Sequence, residues 1–181
     1  MKDEVIIPLV KRAKKGDSKA FEGLLNEIYD EIFKMAFYFS GNKTDAEDIT
    51  QSACIKLAGS IESFQNKSAF STWLYRIVIN CGHDHYRINQ RHQTSKITDN
   101  TTSGNEQPDS QAYSNEIFEM IAKLPEAERI SLILVFVKGL THAGAADIMN
   151  CKESTVSWYI HEARKKLAPF WKGGMNNVRI R

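Results

Sequence analysis

The chain is poor in the residues that build a redox or metal framework. Its 181 positions hold three cysteines, Cys54, Cys81 and Cys151, widely spaced and odd in number. That excludes a disulfide-stapled scaffold and leaves no CxxC pair for zinc or thiol exchange, so a reducing cytoplasm is the expected location. No cysteine sits in a paired redox motif, and no thiol sensing is expected. Long hydrophobic runs are missing as well. The longest, "ISLILVFV" at 130–137, is far short of the roughly eighteen residues of a membrane-spanning helix. The N-terminal "MKDEVIIPLVKRAKKGD" lacks the apolar core and small-residue cleavage site of a secretory signal. There is no HExxH, no ordered Ser, His and Asp set and no glycine-rich phosphate loop. These absences argue against an enzyme.

What remains is a folded, globular composition, 42% hydrophobic and 25% charged. The net charge of +2 hides an uneven distribution. From Arg164 onward the charged residues are Arg164, Lys165, Lys166, Lys172, Arg179 and Arg181, with no acid among them. A second stretch, His83 to His92, sets Arg87, Arg91 and three histidines against Asp84 alone. Local basic patches on a nearly neutral chain fit a polyanion that touches particular faces; a solvated tail and helix face fit them equally well.

Residues 93–112, "QTSKITDNTTSGNEQPDSQA", contain one large aliphatic side chain, Ile97. Such a segment cannot bury enough apolar surface to offset its ordering entropy, and it is expected to be a flexible linker. Both flanking pieces show helical spacing and no strand alternation, so the expected fold is all-α, with two small helical domains.

In the first piece Phe21, Leu24, Leu25, Ile28, Ile32, Met35 and Ala36 form one stripe, with Asp17 or Ser18 to cap the helix and Gly41-Asn42 to end it. A second helix is expected to start at Thr44, with acids in its first turn. A third opens at Ser71 or Thr72 and turns Leu74, Ile77, Val78 and Cys81 inward.

In the second piece, "SNEIFEMIAKLP" and "EAERISLILVFVKG" predict two helices broken at Pro125 and Gly139. A short helix at 142–149, a tight turn at Asn150-Cys151-Lys152 and a longer helix at 153–167 then give a helix-turn-helix layout. At 100° per residue, Val156, Ile160, Ala163 and Leu167 form the inner stripe of the last helix, within about 60° of one another. Ser154, Trp158, His161 and Lys165 lie opposite, flanked by Ser157 and Glu162. Hydroxyls, an imidazole, a cation and an indole on one face suit a DNA major groove. The other reading is an amphipathic helix with Trp158 docked on a neighbouring domain.

The stretch "NCGHDHYR" at 80–87 looks at first like a metal site. On a helix Cys81 shares a face with His85, and with Asp84, while His83 points away from both. One pair of ligands does not close a zinc site, and no second cluster complements it, so no metal is expected. A basic, hydrogen-bonding helix end with Cys81 as a small core residue is the better use.

Three stretches in order resemble the extracytoplasmic-function sigma factors of bacterial RNA polymerase. "DAEDITQSACIKLAGSIESF" (45–64) is similar to the family's core-binding helix, "FSTWLYRIVINCGHDHYR" (70–87) to its promoter-melting helix, and 124–167 to its terminal helix-turn-helix domain. The resemblance runs from about Gly16 to Leu167. It implies a core- and minus-ten-binding domain at 1–92, a linker at 93–112, a minus-thirty-five-binding domain at 113–172 and a basic tail at 173–181. The tail either adds phosphate attraction or stays disordered.

On this resemblance Asp45, Glu47, Asp48 and Gln51 dock on the clamp helices of the polymerase's largest subunit. The loop "QNKSAF" (65–70) captures a base flipped from the minus-ten element, whose lost stacking a shaped polar pocket must offset. Asn66, Lys67, Ser68, Asn80, Arg87 and Arg91 are the implied contacts, with Trp73 and Tyr75 as aromatic support; Trp73 fits the core as well as a DNA wedge. Ser154, Ser157, Trp158, His161, Arg164 and Lys165 read the minus-thirty-five element. The same domain grips the flap of the second-largest subunit, and an anti-sigma factor is an expected partner. No cofactor and no small-molecule substrate are implied. The chain departs from the common pattern where Ser157-Trp158-Tyr159 replaces a Lys-Ser-Arg run and Ala143-Gly144 replaces a more acidic pair. Fewer cations predict a different promoter preference and a weaker salt dependence.

Overall fold

A computed structural model describes residues 3–65, 67–94, 120, 121 and 123–171. Among these residues every regular element is helical. The chain divides into two compact units, Met1–Pro108 and Asp109–Arg181.

The first unit opens with α1 (Asp3–Ala13), a helix not read from the sequence. It forms despite the internal Pro8 because Ile6, Val10 and Ala13 fall on one stripe and are buried. Arg12 then pairs with Asp17 at 2.7 Å, and Asp17 caps α2 (Ser18–Ser40) by accepting from Ala20 N at 3.0 Å. That backbone N–H, together with Arg12, holds the Asp17 carboxyl below its usual range. α2 buries Ala20, Leu24, Ile28, Ile32, Met35, Ala36 and Phe39, so the predicted stripe holds except that Phe21 and Leu25 are half-buried. Gly41 ends it with a φ of 76°, a left-handed cap that any other residue would adopt at a cost.

The next helix, α3 (Lys43–Ser60), starts earlier than expected, because Asn42 rather than Thr44 is its cap. Asn42 Oδ1 accepts from Asp45 N at 2.8 Å while its Nδ2 donates to Asp45 Oδ2 at 2.7 Å, a reciprocal pair that Thr44 cannot make. A 3₁₀ turn at Ile61–Ser63 follows. Phe64, Phe70 and Trp73 then pack together, with Phe64 and Trp73 centroids 4.9 Å apart. Lys14 reaches from beyond α1 to donate to the Phe64 carbonyl.

α4 (Phe70–Thr94) begins one residue before the predicted start and runs on through Gln93 and Thr94, which the sequence reading had placed in the linker. It buries Leu74, Val78 and Cys81, with Ile77 only half-buried. The rest of the predicted linker, 95–112, lies outside the described residues, as do Asn66, the 114–119 part of the helix predicted before Pro125, and the tail at 173–181.

In the second unit α5 (Glu126–Leu132) follows Pro125, with Glu126 and Glu128 in its first turn. The predicted helix does not continue regularly to Val137: Ile133–Val137 form a π turn. Lys138 N bonds Ile133 O at 2.9 Å, five residues back. Gly139 then takes a φ of 68° to leave the helix. α6 (His142–Met149) has the predicted limits; Thr141 caps it by accepting from Gly144 N at 3.0 Å, and Asn150 closes it at φ 52°. α7 (Glu153–Trp171) outlasts the predicted 153–167. Val156, Ile160, Ala163 and Leu167 are buried as predicted. Lys166 pairs with the largely buried Glu128, tying α7 to α5 within its own unit.

Candidate nucleic-acid and polymerase interface

Three outward faces carry the sequence-predicted residues. On α3, Glu47, Asp48 and Gln51 are exposed. Asp45 is drawn off that face: its Oδ2 takes Asn42, and its Oδ1 lies 2.9 Å from His85 Nε2. The sequence reading put all four on one exposed surface, yet Asp45 serves the helix start and the α3–α4 packing. It missed Ile55, which is 73% exposed. Four and seven positions beyond Gln51 and Asp48, Ile55 falls on their face of the helix. The signal was present in the helical spacing. The face is therefore acidic at one end and apolar at the other.

On α4 the predicted minus-ten residues divide. Asn80 and Arg87 are exposed and seven residues apart, which puts them on one stripe. Arg91 continues that stripe by its position in the helix; its side chain lies outside the described set. Lys67 is exposed and Ser68 half-buried just before the helix. Trp73 is half-buried and committed to the Phe64–Phe70 cluster. Tyr75 is buried, and its hydroxyl donates to Glu31. Burial first, and then Glu31, push its hydroxyl pKa well up, so Tyr75 is a core strut rather than a surface group.

The suspected metal stretch is a packing seam. Cys81 is buried, and burial raises its thiol pKa. The His83 ring stands edge-on to Phe39 at 5.3 Å. Asp84 takes Lys56 at 2.7 Å and Arg87 at 2.9 Å, and the Lys56 hydrogen bond holds its carboxyl below the usual range. His85 contacts Asp45 and Asn89, each at 2.9 Å, and Tyr86 donates to Ser40 O at 3.2 Å. These side chains face α2 and α3 from one helix rather than converging on a point. Among the described residues no group of three His, Cys, Asp or Glu is placed to hold an ion.

On α7, Ser154, Ser157, Trp158, His161, Arg164 and Lys165 are all exposed, opposite the buried stripe. Trp158 is 56% exposed and leans on Tyr159 at 5.3 Å. Within this unit it is not docked; it stands out from the helix. Arg164 lies to one side, its guanidinium 4.9 Å over the Phe136 ring. Phe136 and Val137, 39% and 50% exposed, are turned out by the π turn. Ser157 is joined to His142 of α6 at 2.8 Å, a pairing with no sign in the spacing of either helix.

Likeness to known proteins follows the same two units. The Sigma-70 region 2 family matches residues 24–92, and the Sigma-70 region 4 family matches residues 114–167. The ECF RNA polymerase sigma factor SigW of Bacillus subtilis (strain 168) is 31% identical over 175 residues, covering 87% of this chain and 92% of that protein. The ECF RNA polymerase sigma-E factor of Escherichia coli (strain K12) is 32% identical over 173 residues, covering 88% and 90%. In fold the chain is similar to the sigma factor RpoE solved in complex with the anti-sigma factor NepR from Bartonella quintana. The TM-score is 0.70 at 22% identity, over 87% of this chain and 99% of that one. It is also similar to CnrH solved in complex with the cytosolic domain of CnrY, with a TM-score of 0.67 at 21% identity over 94% and 99%. Two family matches on two helical units, with relatives aligned along nearly their whole length, give one conclusion: the chain belongs to the extracytoplasmic-function sigma factors, the alternative initiation factors that direct RNA polymerase to promoters.

Proposed function

We propose that the two units divide the work of initiation, with 1–92 binding core polymerase and the minus-ten element and 113–172 binding the minus-thirty-five element. The observation that carries this reading is the outward face of α7, polar and aromatic directly opposite its buried stripe on a helix-turn-helix. Ser154, Ser157, Trp158, His161 and Lys165 meet base edges and phosphates there, while Arg164, stacked on Phe136, sits at the margin. Glu47, Asp48 and Gln51, extended by Ile55, meet a basic and partly apolar surface of the polymerase's largest subunit. Lys67, Ser68, Asn80 and Arg87, with Asn66 and Arg91, line the path of the melted strand. The basic tail at 173–181 adds phosphate attraction. The chain acts in the cytoplasm and takes no part in phosphodiester chemistry itself. An anti-sigma factor occludes one or both units, as the complex of RpoE with NepR supports.

The test is run-off transcription from genomic fragments with core polymerase, with and without the protein. New transcripts are expected, and a variant combining Asp48→Lys and Gln51→Lys should lose them while keeping its helical content, since both side chains are exposed. DNA binding without transcripts, and without association with core polymerase, would instead mark a free-standing regulator.

A further inference from the structure

Ser157 is the one hydroxyl on the outward face of α7 whose surroundings fix what it can offer a base. Its Oγ lies 2.8 Å from His142 Nδ1 and 3.2 Å from the carbonyl oxygen of Glu153, one turn back on the same helix. A serine hydroxyl has one proton and two lone pairs. When that proton goes to the Glu153 carbonyl, the imidazole must carry hydrogen on Nδ1 and donate it into Oγ. When the proton goes to Nδ1 instead, the imidazole carries its hydrogen on Nε2. A doubly protonated imidazole enforces the first arrangement. In all three the proton is engaged by a protein acceptor, and at least one lone pair is left for another donor.

From this geometry we infer that Ser157 is a specificity-determining residue acting only as a hydrogen-bond acceptor, and that His142 is the positioning residue that keeps it so. An unconstrained serine donates or accepts, and so reads any base. An acceptor-only serine finds a partner in the exocyclic amino group of adenine or cytosine. It finds none in the oxygen that guanine or thymine presents in the major groove. Every base pair has one amino and one keto edge there, so the signature is strand-specific. At one position of the minus-thirty-five element, A or C on the contacted strand is favoured over G or T. Neither helix alone produces this device. α7 brings Ser157 and the Glu153 carbonyl, and α6, capped at Thr141, brings His142 at its first position.

The inference rests on α7 reading the minus-thirty-five element, and the experiment separates the two. The full-length protein with core polymerase transcribes a promoter library randomised across that element, and the transcribed templates are sequenced. Wild type should show one position preferring A or C over G or T on the order of fivefold, the weight of one well-placed hydrogen bond. Ser157→Ala should level that position alone. His142→Ala should admit G and T there, because only the 3.2 Å bond to the Glu153 carbonyl then holds the proton and nothing else keeps the hydroxyl from turning it outward. His142→Asn, with an amide nitrogen in place of Nδ1–H, should restore the preference. The acceptor assignment is overturned if the position levelled by Ser157→Ala favours G or T in wild type. It is also overturned if no position responds to Ser157→Ala while Trp158→Ala reshapes others; in that case α7 still reads the element. If His142→Ala leaves the preference intact, the positioning role falls. A library enriched nowhere across the element removes the reading of α7 and this inference with it.

Discussion

Gly82→Ala and Gly59→Ala make the same chemical change in two helices and should move stability in opposite directions. A Cβ on Gly82 would lie 2.5, 2.6 and 2.8 Å from Cε1, Cδ1 and Cζ of Phe39. Carbon atoms prefer about 3.5–4.0 Å, so three ring atoms are overlapped by roughly 1 Å. The ring cannot swing away cheaply: Phe39 is fully buried, with His83 edge-on at 5.3 Å and Tyr86 at 5.7 Å. Overpacking a closed site costs about 1–3 kcal/mol, and three overlapping atoms put this case near the top of that range. Alanine recovers about 0.5–1 kcal/mol of helix propensity over glycine, leaving a net loss of about 2 kcal/mol. A Cβ on Gly59 of α3 meets nothing within 4 Å. There only the propensity gain remains, up to about 0.5–1 kcal/mol.

The assay is urea unfolding followed by Trp73 fluorescence in a Trp158→Phe, Trp171→Phe background, which leaves the only indole in the first unit. In a Phe39→Leu background the Gly82→Ala penalty should largely vanish, a coupling of about 2 kcal/mol. Equal shifts of one sign for Gly59→Ala and Gly82→Ala would refute the reasoning. So would a Gly82→Ala loss that Phe39→Leu leaves untouched, for then the helix backbone and not the ring sets the cost.

Three further outcomes are expected. Asn42→Ala removes the reciprocal cap of α3 and should cost about 1 kcal/mol in the same unfolding assay. Lys56 holds the Asp84 carboxyl below its ordinary value of 3.8. The pair therefore stabilises the fold above that pH, and its contribution is lost as pH falls through the lowered pKa. Because both side chains are about half exposed, Lys56→Met should cost under ~1 kcal/mol at neutral pH, and the two proteins should converge in acid; a gap that widens in acid would reverse the assignment. Burial raises the thiol pKa of Cys54, Cys81 and Cys151, and only Cys81 is fully enclosed. Iodoacetamide labelling read by mass spectrometry should therefore reach Cys81 last, and equal rates would contradict its enclosure.

How far the sequence could be read depended on whether the information lay within one helix. The limits of α2 and α6 and the two faces of α7 were legible, because caps such as Asp17, the turn at Asn150-Cys151-Lys152 and the 3.6-residue period are local. The start of α3 was misread since Asn42 and Thr44 are both able caps, and the choice falls to a side-chain bond with Asp45. α1 was missed behind Pro8, its pattern resting on only three buried positions. Nothing in "ISLILVFV" distinguishes a five-residue hydrogen-bond step from a four-residue one, so the π turn and the outward Phe136 and Val137 had no signature. Within the candidate interfaces Ile55 was legible in the spacing of α3 and overlooked, whereas three revisions are contacts between elements: Asp45 with His85, Arg164 with Phe136, Ser157 with His142. Spacing along one helix does not encode which residues of another will meet it.

The seam at 80–87 shows why shape, more than charge, sets the outer stripe of α4. Of its polar ties to the neighbouring helices, Asp84 to Lys56 is about half exposed and contributes about 0–1 kcal/mol, while His85 to Asp45 and Tyr86 to the Ser40 carbonyl are more enclosed. The exposed pair alone is too weak to hold a helix of 25 residues in one rotation against α2 and α3. The Phe39 ring lying against Gly82 is different, because a glycine in that place admits the ring and any rotation of α4 brings a side chain against it. Asn80 and Arg87, on the opposite side of the same helix, are then presented by this packed contact together with the enclosed ties of His85 and Tyr86. Salt weakens exposed ion pairs and leaves packing intact. The packed contact, unlike the exposed pair, is therefore expected to hold the stripe's orientation as ionic strength rises.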